Sequence, residues 1–106
     1  MPFVRMDDLV RREPFPGYAG RFLHGEAMSV AQWTVAEGSG FPEHAHPHEQ
    51  IAMVVEGRFE ITVAGETRVL DAGTVALIPS NVRHSGRALT TCRLVDVFHP
   101  VREDYR

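Results

Sequence analysis

Gly38-Ser39-Gly40-Phe41-Pro42-Glu43-His44-Ala45-His46-Pro47-His48-Glu49-Gln50, closing on Gly57, is the first of two stretches that decide how this chain reads. The second is Gly73-Thr74-Val75-Ala76-Leu77-Ile78-Pro79-Ser80-Asn81-Val82-Arg83-His84. Four of the six histidines lie in these two segments, a clustering that scatter would not give. Imidazole is the commonest protein ligand for transition metals, and His-x-His puts two rings on one face of an extended strand. Two such rings and a third from a distant strand make a coordination shell with positions left open for a substrate. The chain reads as a barrel built around a metal site, with His44, His46 and His84 in the shell.

The pattern outside the histidines is all-β. Candidate strands cover residues 28–36 around Trp33, 50–56, 58–63, 66–70, 74–78, 82–85 and 91–98. Phe59, Ile61 and Val63 alternate on one face, and Ala64-Gly65-Glu66 supplies a hairpin turn. Short strands with glycine-containing turns and no helical period predict an antiparallel sandwich or jelly-roll barrel. The chain is read as a single domain over residues 1–106. Residues 1–20, with Pro14, Pro16, Gly17 and Gly20, form a peripheral arm with a short turn near Asp7-Asp8-Leu9. Residues 21–106 form the barrel and a C-terminal tail.

Strand phase decides what can meet inside. Cys92, Leu94, Asp96 and Phe98 share one face, which, if it looks inward, places Asp96 and Phe98 near the mouth of the barrel. His46 and Gln50 also share a parity, but four residues of extended chain cover roughly 13 Å. Both reach one ion only if the chain bends at Pro47, and that bend turns His48 away.

Composition narrows the function classes. A chain of 106 residues, 43% hydrophobic and 24% charged, can bury a single core without staples. Its net charge of −3 comes with scattered basic residues, so no nucleic-acid partner is expected. Cys92 stands alone, which excludes an internal disulfide and suits a reducing compartment. No signal-like apolar region or membrane-length run is seen, so no membrane association and a cytoplasmic location are expected.

The two histidine segments carry a family resemblance. Gly38, five residues, His44-x-His46, three residues, Gln50, six residues, Gly57 resembles the first cupin motif. Gly73, five residues, Pro79-x-Asn81, two residues, His84 resembles the second. Gln50 stands where a glutamate ligand is usual, and Asn81 where a glycine is usual. Asn tolerates positive φ and can serve the same tight turn. Gln50 keeps an oxygen ligand but removes a charge, so a divalent ion would retain more positive charge for its substrate.

The run Leu94-Val95-Asp96-Val97-Phe98-His99-Pro100-Val101-Arg102-Glu103-Asp104-Tyr105 resembles the ending of the small single-domain cupins of pectin degradation, the KdgF-like group. The resemblance implies the cupin double-stranded β-helix, a jelly-roll barrel. It implies a divalent ion (nickel, zinc, iron or manganese) held by three histidines and a glutamine, which fall on His44, His46, Gln50 and His84. It implies an active site lined by Asp96, Phe98 and Arg102. The implied activity is an isomerisation of the cyclic 4,5-unsaturated uronate of pectin or alginate breakdown to the linear 5-keto-4-deoxyuronate, with a small sugar acid as substrate.

The residues suit that task. Arg102 offers a planar two-donor fork for a carboxylate. Asp96, beside a cation, is expected to be ionised and could take or pass a proton; equally, it could hold a ligand histidine by a hydrogen bond. Phe98 reads as apolar wall or plain core. Two further readings stay open. One is an oxygen-using dioxygenase with iron, nickel or copper, acting on a flavonol or thiol, against which the neutral Gln50 weighs. The other is a non-catalytic ligand-binding cupin, against which the full ligand set weighs. A homodimer is expected, because a small barrel has sheet edges to cover and Phe3, Val4, Phe15 and Tyr18 in the arm have little core role. His24, His99, Cys92 and Trp33 receive no functional assignment.

Overall fold

The alternation of β-branched and aromatic residues resolves into ten strands in a computed structural model, which describes residues 2–106. In chain order they are β1 (Arg12–Phe15), β2 (Tyr18–His24), β3 (Ser29–Val35), β4 (Gly40–His44), β5 (Glu49–Glu56), β6 (Phe59–Val63), β7 (Glu66–Leu70), β8 (Val75–Ile78), β9 (His84–Ala88) and β10 (Cys92–His99). One six-stranded sheet has the order β1-β2-β3-β10-β5-β8, and a four-stranded sheet has the order β4-β9-β6-β7. Every pairing is antiparallel. Short 3-10 turns at Met6–Asp8 and Glu103–Tyr105 flank the sheets. This is the cupin jelly-roll expected from the motifs.

The core lies between the sheets. Trp33, Val35, Val54, Ile78, Leu94 and Phe98 of the larger sheet meet Phe59, Ile61, Leu70 and Ala88 of the smaller. Along β10, Cys92, Leu94, Asp96 and Phe98 are all buried, as their shared parity predicts. Burying a leucine or phenylalanine side chain contributes roughly 1.5–3 kcal/mol. A one-residue slip would expose that whole set, so the apolar members fix the register and commit Asp96 to the interior. The β6–β7 hairpin closes through Ala64 (φ 50°) and Gly65 (φ 81°), the two positive-φ positions of a type I′ turn.

The sequence expectations fail in instructive places. β1 and β4 each carry a proline, Pro14 and Pro42, and both are edge strands, where a missing N–H costs no ladder bond. β2 begins at Tyr18, inside the stretch read as an arm, and Tyr18 is only 4% exposed. It is a core residue, not one free to pack on a partner. β2 passes through Gly20, where a Cβ would lie 2.7 Å from the Trp33 ring. β9 starts at His84, two residues later than expected, and runs through Gly86, where a Cβ would lie 2.4 Å from the Phe59 ring. In both strands glycine is demanded by an aromatic ring lying against the backbone. Phe3 and Val4 remain exposed. No helix among the described residues is long and apolar enough to cross a membrane.

Candidate functional site

The first motif crosses from one sheet to the other. β4 ends at His44 in the smaller sheet, β5 begins at Glu49 in the larger, and Pro47 lies in the connection. The second motif holds this bend in place. The Asn81 N–H donates to the His46 carbonyl at 2.8 Å, and the Ser80 hydroxyl donates to the Pro47 carbonyl at 2.6 Å. Asn81 adopts φ 64°, the positive value that glycine usually supplies at such a turn. His44 and His84 are cross-strand partners in β4 and β9, with ring centroids 4.4 Å apart. The ligand atoms of His44, His46 and His84 lie within 4.8 Å of one another.

The rings share one orientation. Nδ1 of His44, His46 and His84 lies 3.2, 3.0 and 2.9 Å from the carbonyl oxygens of Pro42, His48 and Val82. A carbonyl only accepts, so each Nδ1 carries the proton and each neutral ring keeps its lone pair on Nε2. Burial lowers the His46 pKa to about 4 and pushes His84 down as well, which keeps both rings neutral near pH 7. The Gln50 Oε1 lies 3.1 Å from Nε2 of His46, and Gln50 favours the charged form of the neighbouring Asp96 carboxylate. Two lone-pair atoms therefore face each other with no hydrogen between them, an arrangement that a shared cation satisfies. Three imidazole nitrogens and an amide oxygen form a neutral donor set that fits a divalent ion such as nickel, zinc, iron or manganese. His48 stands outside the cluster, beside Phe98, and contributes its carbonyl to His46.

Asp96 sits in β10 between Ala31 of β3 and Ala52 of β5. Its Oδ2 accepts the Trp33 indole N–H at 3.0 Å. Burial pushes its pKa up to about 6, against the opposing pull of Gln50, Trp33 and the Arg102 charge. Its hydrogen-bond donor is thus the Trp33 indole, with Gln50 beside it, rather than one of the clustered histidines.

Arg102 is also buried, and its guanidinium stacks over Phe98 at 4.6 Å and Tyr105 at 4.3 Å. The expectation of a free two-donor fork needs correction. Nε and Nη2 donate to the two carboxylate oxygens of Asp104 at 3.0 and 2.8 Å, so one edge of the fork is already engaged. The tail carrying these residues is fastened to β1, β2 and β3. The Arg102 N–H donates to Ser29 Oγ at 2.9 Å, and Ser29 Oγ lies 2.8 Å from Nδ1 of His24. Nε2 of His24 reaches the Tyr105 carbonyl at 3.2 Å, and the Arg12 guanidinium donates to the same oxygen.

His44, His46, Gln50, His84, Asp96, Phe98 and Arg102 all line one cavity of about 470 Å³, a size suited to a small molecule. Trp33, Ser29, His24 and Arg12 were missed from sequence. A signal existed for Trp33: a buried indole needs an acceptor, and Asp96 is the only buried acidic residue among the described residues.

Comparison with known proteins bears on the family and the fold. The cupin domain family matches residues 31–98. An uncharacterized protein of Streptomyces coelicolor is 30% identical over 107 residues, which cover 100% of this chain and 90% of that protein. The pectin degradation protein KdgF of Dickeya dadantii is 36% identical over 72 residues, 66% of each protein. The structure of KdgF from Halomonas sp. superposes with a TM-score of 0.93 at 27% identity, over 100% of this chain and 99% of that one. With its two motifs, two-sheet barrel and histidine cluster, the chain belongs to the cupin family, as a small cupin resembling KdgF.

Proposed function

We propose that this protein is a metal-dependent enzyme that isomerises cyclic 4,5-unsaturated uronate monosaccharides from pectin or alginate to linear 5-keto-4-deoxyuronate. The observation that carries this reading is one cavity lined by four neutral lone-pair donors, a buried carboxylate and a buried guanidinium. Likeness to a pectin degradation protein supports the substrate class.

The chain's own residues divide the task. Arg102, held by Asp104 and two aromatic rings, keeps Nη1 for the substrate carboxylate. Phe98, Trp33 and Tyr105 line the cavity with apolar surface, which strengthens every charge interaction within it. Asp96 carries the proton: it takes one from the anomeric hydroxyl as the C1–O5 ring bond breaks and leaves an enolate oxygen on C5, and it returns one to C4 as that enolate becomes the ketone. No electrons are exchanged with a partner. A divalent ion bound by His44, His46, Gln50 and His84 would supply Lewis acidity toward the sugar oxygens.

We also propose a homodimer. Leu23, Val30, Val97, Ile51 and Leu77 form a continuous cross-strand row on the larger sheet, and Leu23, Ile51 and Leu77 are exposed. A second copy presenting the same row would cover it, and a monomer in light scattering at micromolar concentration would remove this idea.

The activity test is direct. Metal-loaded protein should remove the ultraviolet absorbance of unsaturated galacturonate and yield the linear keto acid by NMR. Absorbance that persists with every metal overturns the assignment. Oxygen uptake with a flavonol or thiol would instead identify a dioxygenase, and binding without turnover a sensor.

A further inference from the structure

Tyr18 is the first residue of β2, paired with Val35 of β3. Its ring stands edge-on to Trp33 at 5.6 Å and to Phe15 at 6.0 Å. It lines the same cavity as the histidine cluster. It also lines a small adjoining void of about 30 Å³, together with Gln50 and Asp96. The residue is 4% exposed, and its hydroxyl is buried without a hydrogen-bond partner among the described residues.

A buried phenol normally finds a partner, because desolvating its hydroxyl without one costs stability. Phenylalanine would fill the same space and keep the same aromatic contacts at no such cost. Burial pushes the pKa of this phenol well up, and the nearby Asp96 charge adds to the effect. The group is therefore an O–H donor at any working pH and cannot serve as a base. A donor without a protein acceptor, in the wall of a cavity that already holds a cluster of cation-ligand atoms and a carboxylate, is suited to a ligand oxygen.

We propose that the Tyr18 hydroxyl contacts the substrate, donating a hydrogen bond to an oxygen of the sugar acid bound beside the histidine cluster and Asp96. The identity of that ligand rests on the uronate reading above. The rival account is a single water in the small void, bridging Tyr18 to Asp96, for which the volume is sufficient. That would make the hydroxyl structural.

Tyr18→Phe separates the two. If the hydroxyl serves a ligand, the variant without ligand melts at the wild-type temperature or above and keeps its metal content. Its kcat/KM for unsaturated galacturonate should fall on the order of tenfold or more, the effect of one lost hydrogen bond. A melting temperature several degrees lower, or failure to fold, shows an internal partner and overturns the proposal. So does unchanged kcat/KM. Should the wild type itself show no turnover, the uronate reaction falls, and calorimetry with D-galacturonate judges Tyr18 separately. Binding about tenfold weaker in Tyr18→Phe then supports the contact; equal binding in the two proteins, or none to the wild type, overturns it.

Discussion

The histidine cluster and the C-terminal tail line the same cavity, yet they are held there by contacts of opposite range. His44, His46 and His84 are each oriented by a backbone carbonyl two residues away. The tail is held by side chains far off in sequence: Ser29 lies 73 residues from Arg102, and His24 81 residues from Tyr105. Local anchoring makes ring orientation a property of a short stretch of chain. Distant anchoring makes the tail's position a property of the whole barrel. Damage to the cluster should therefore remove metal and chemistry together, whereas damage to the tail should weaken substrate binding and spare the metal.

The largest effect is expected at His84, the most buried histidine of the cluster, at 2% exposure. His84→Ala leaves two imidazoles and an amide, and metal content by mass spectrometry should collapse. Activity should fall by at least ~100-fold, more than the loss of an outer hydrogen-bond partner usually costs. Normal metal content with lost activity would break the idea that the cluster is a metal centre.

Asp96 lies between the two regions, lining the cavity beside Gln50 and the histidine cluster. Asp96→Asn should lower kcat by about 10²–10⁴-fold while metal content stays near wild type, as expected for lost proton transfer. The same variant tests the burial. In metal-free protein Asp96 titrates at about 6, against a reference value of 3.8. Between those values the folded chain holds a proton that the unfolded chain has released. The contribution of Asp96 to stability therefore declines as pH rises through that window and is fully lost above it. Asn suffers no such loss. Relative to wild type, the variant should gain on the order of 2 kcal/mol between pH 4 and pH 7 in denaturant titrations. A constant difference across that range would mean that the carboxylate is well solvated.

The same contrast explains what could be read from sequence. The cluster was legible because its geometry follows from spacing, from the Pro47 bend and from the turn at Asn81. The inward face of β10 was legible because period-2 alternation is unbroken over eight residues. β1 and β4 were not, since Pro14 and Pro42 are strand-breaking signals except at a sheet edge, and edges are defined only by the assembled fold. β2 was hidden by Gly20, whose purpose is visible only once Trp33 lies against it. Arg102 and Asp96 were expected to be chemistry-bearing, but the Trp33 partner of Asp96 was not expected. Trp33 is 63 residues from Asp96, and nothing local announces the pair.

Arg102→Ala should sharpen the comparison from the tail side. It removes the one buried cation lining the cavity among the described residues, and KM for the unsaturated uronate should rise roughly 10–100-fold, the cost of a lost charged hydrogen bond. Metal content should not change. A parallel fall in bound metal would show that the tail supports the cluster, contrary to the division drawn here. Wild-type kinetics in the variant would make the tail structural and remove the main support for a carboxylate-bearing substrate.

The smallest effect is expected at Ser29, which touches neither substrate nor ligands. Its hydroxyl accepts the Arg102 N–H and pairs with Nδ1 of His24, so it holds the tail's backbone, not its charge. Ser29 is 3% exposed, so Ser29→Ala leaves a buried N–H without a partner and admits no water without rearrangement. The expected loss is about 1–2 kcal/mol of stability in denaturant titrations. Because Asp104 and two aromatic rings still grip the guanidinium, KM should rise only a few-fold, well short of the Arg102→Ala effect. Both kcat and metal content should stay at wild-type values. A KM as high as that of Arg102→Ala would mean that the long-range fastener, rather than Asp104, sets the position of the guanidinium. A fall in kcat at constant KM would mean that the tail's backbone reaches the reacting atoms, and the separation of binding from chemistry along this chain would then be wrong.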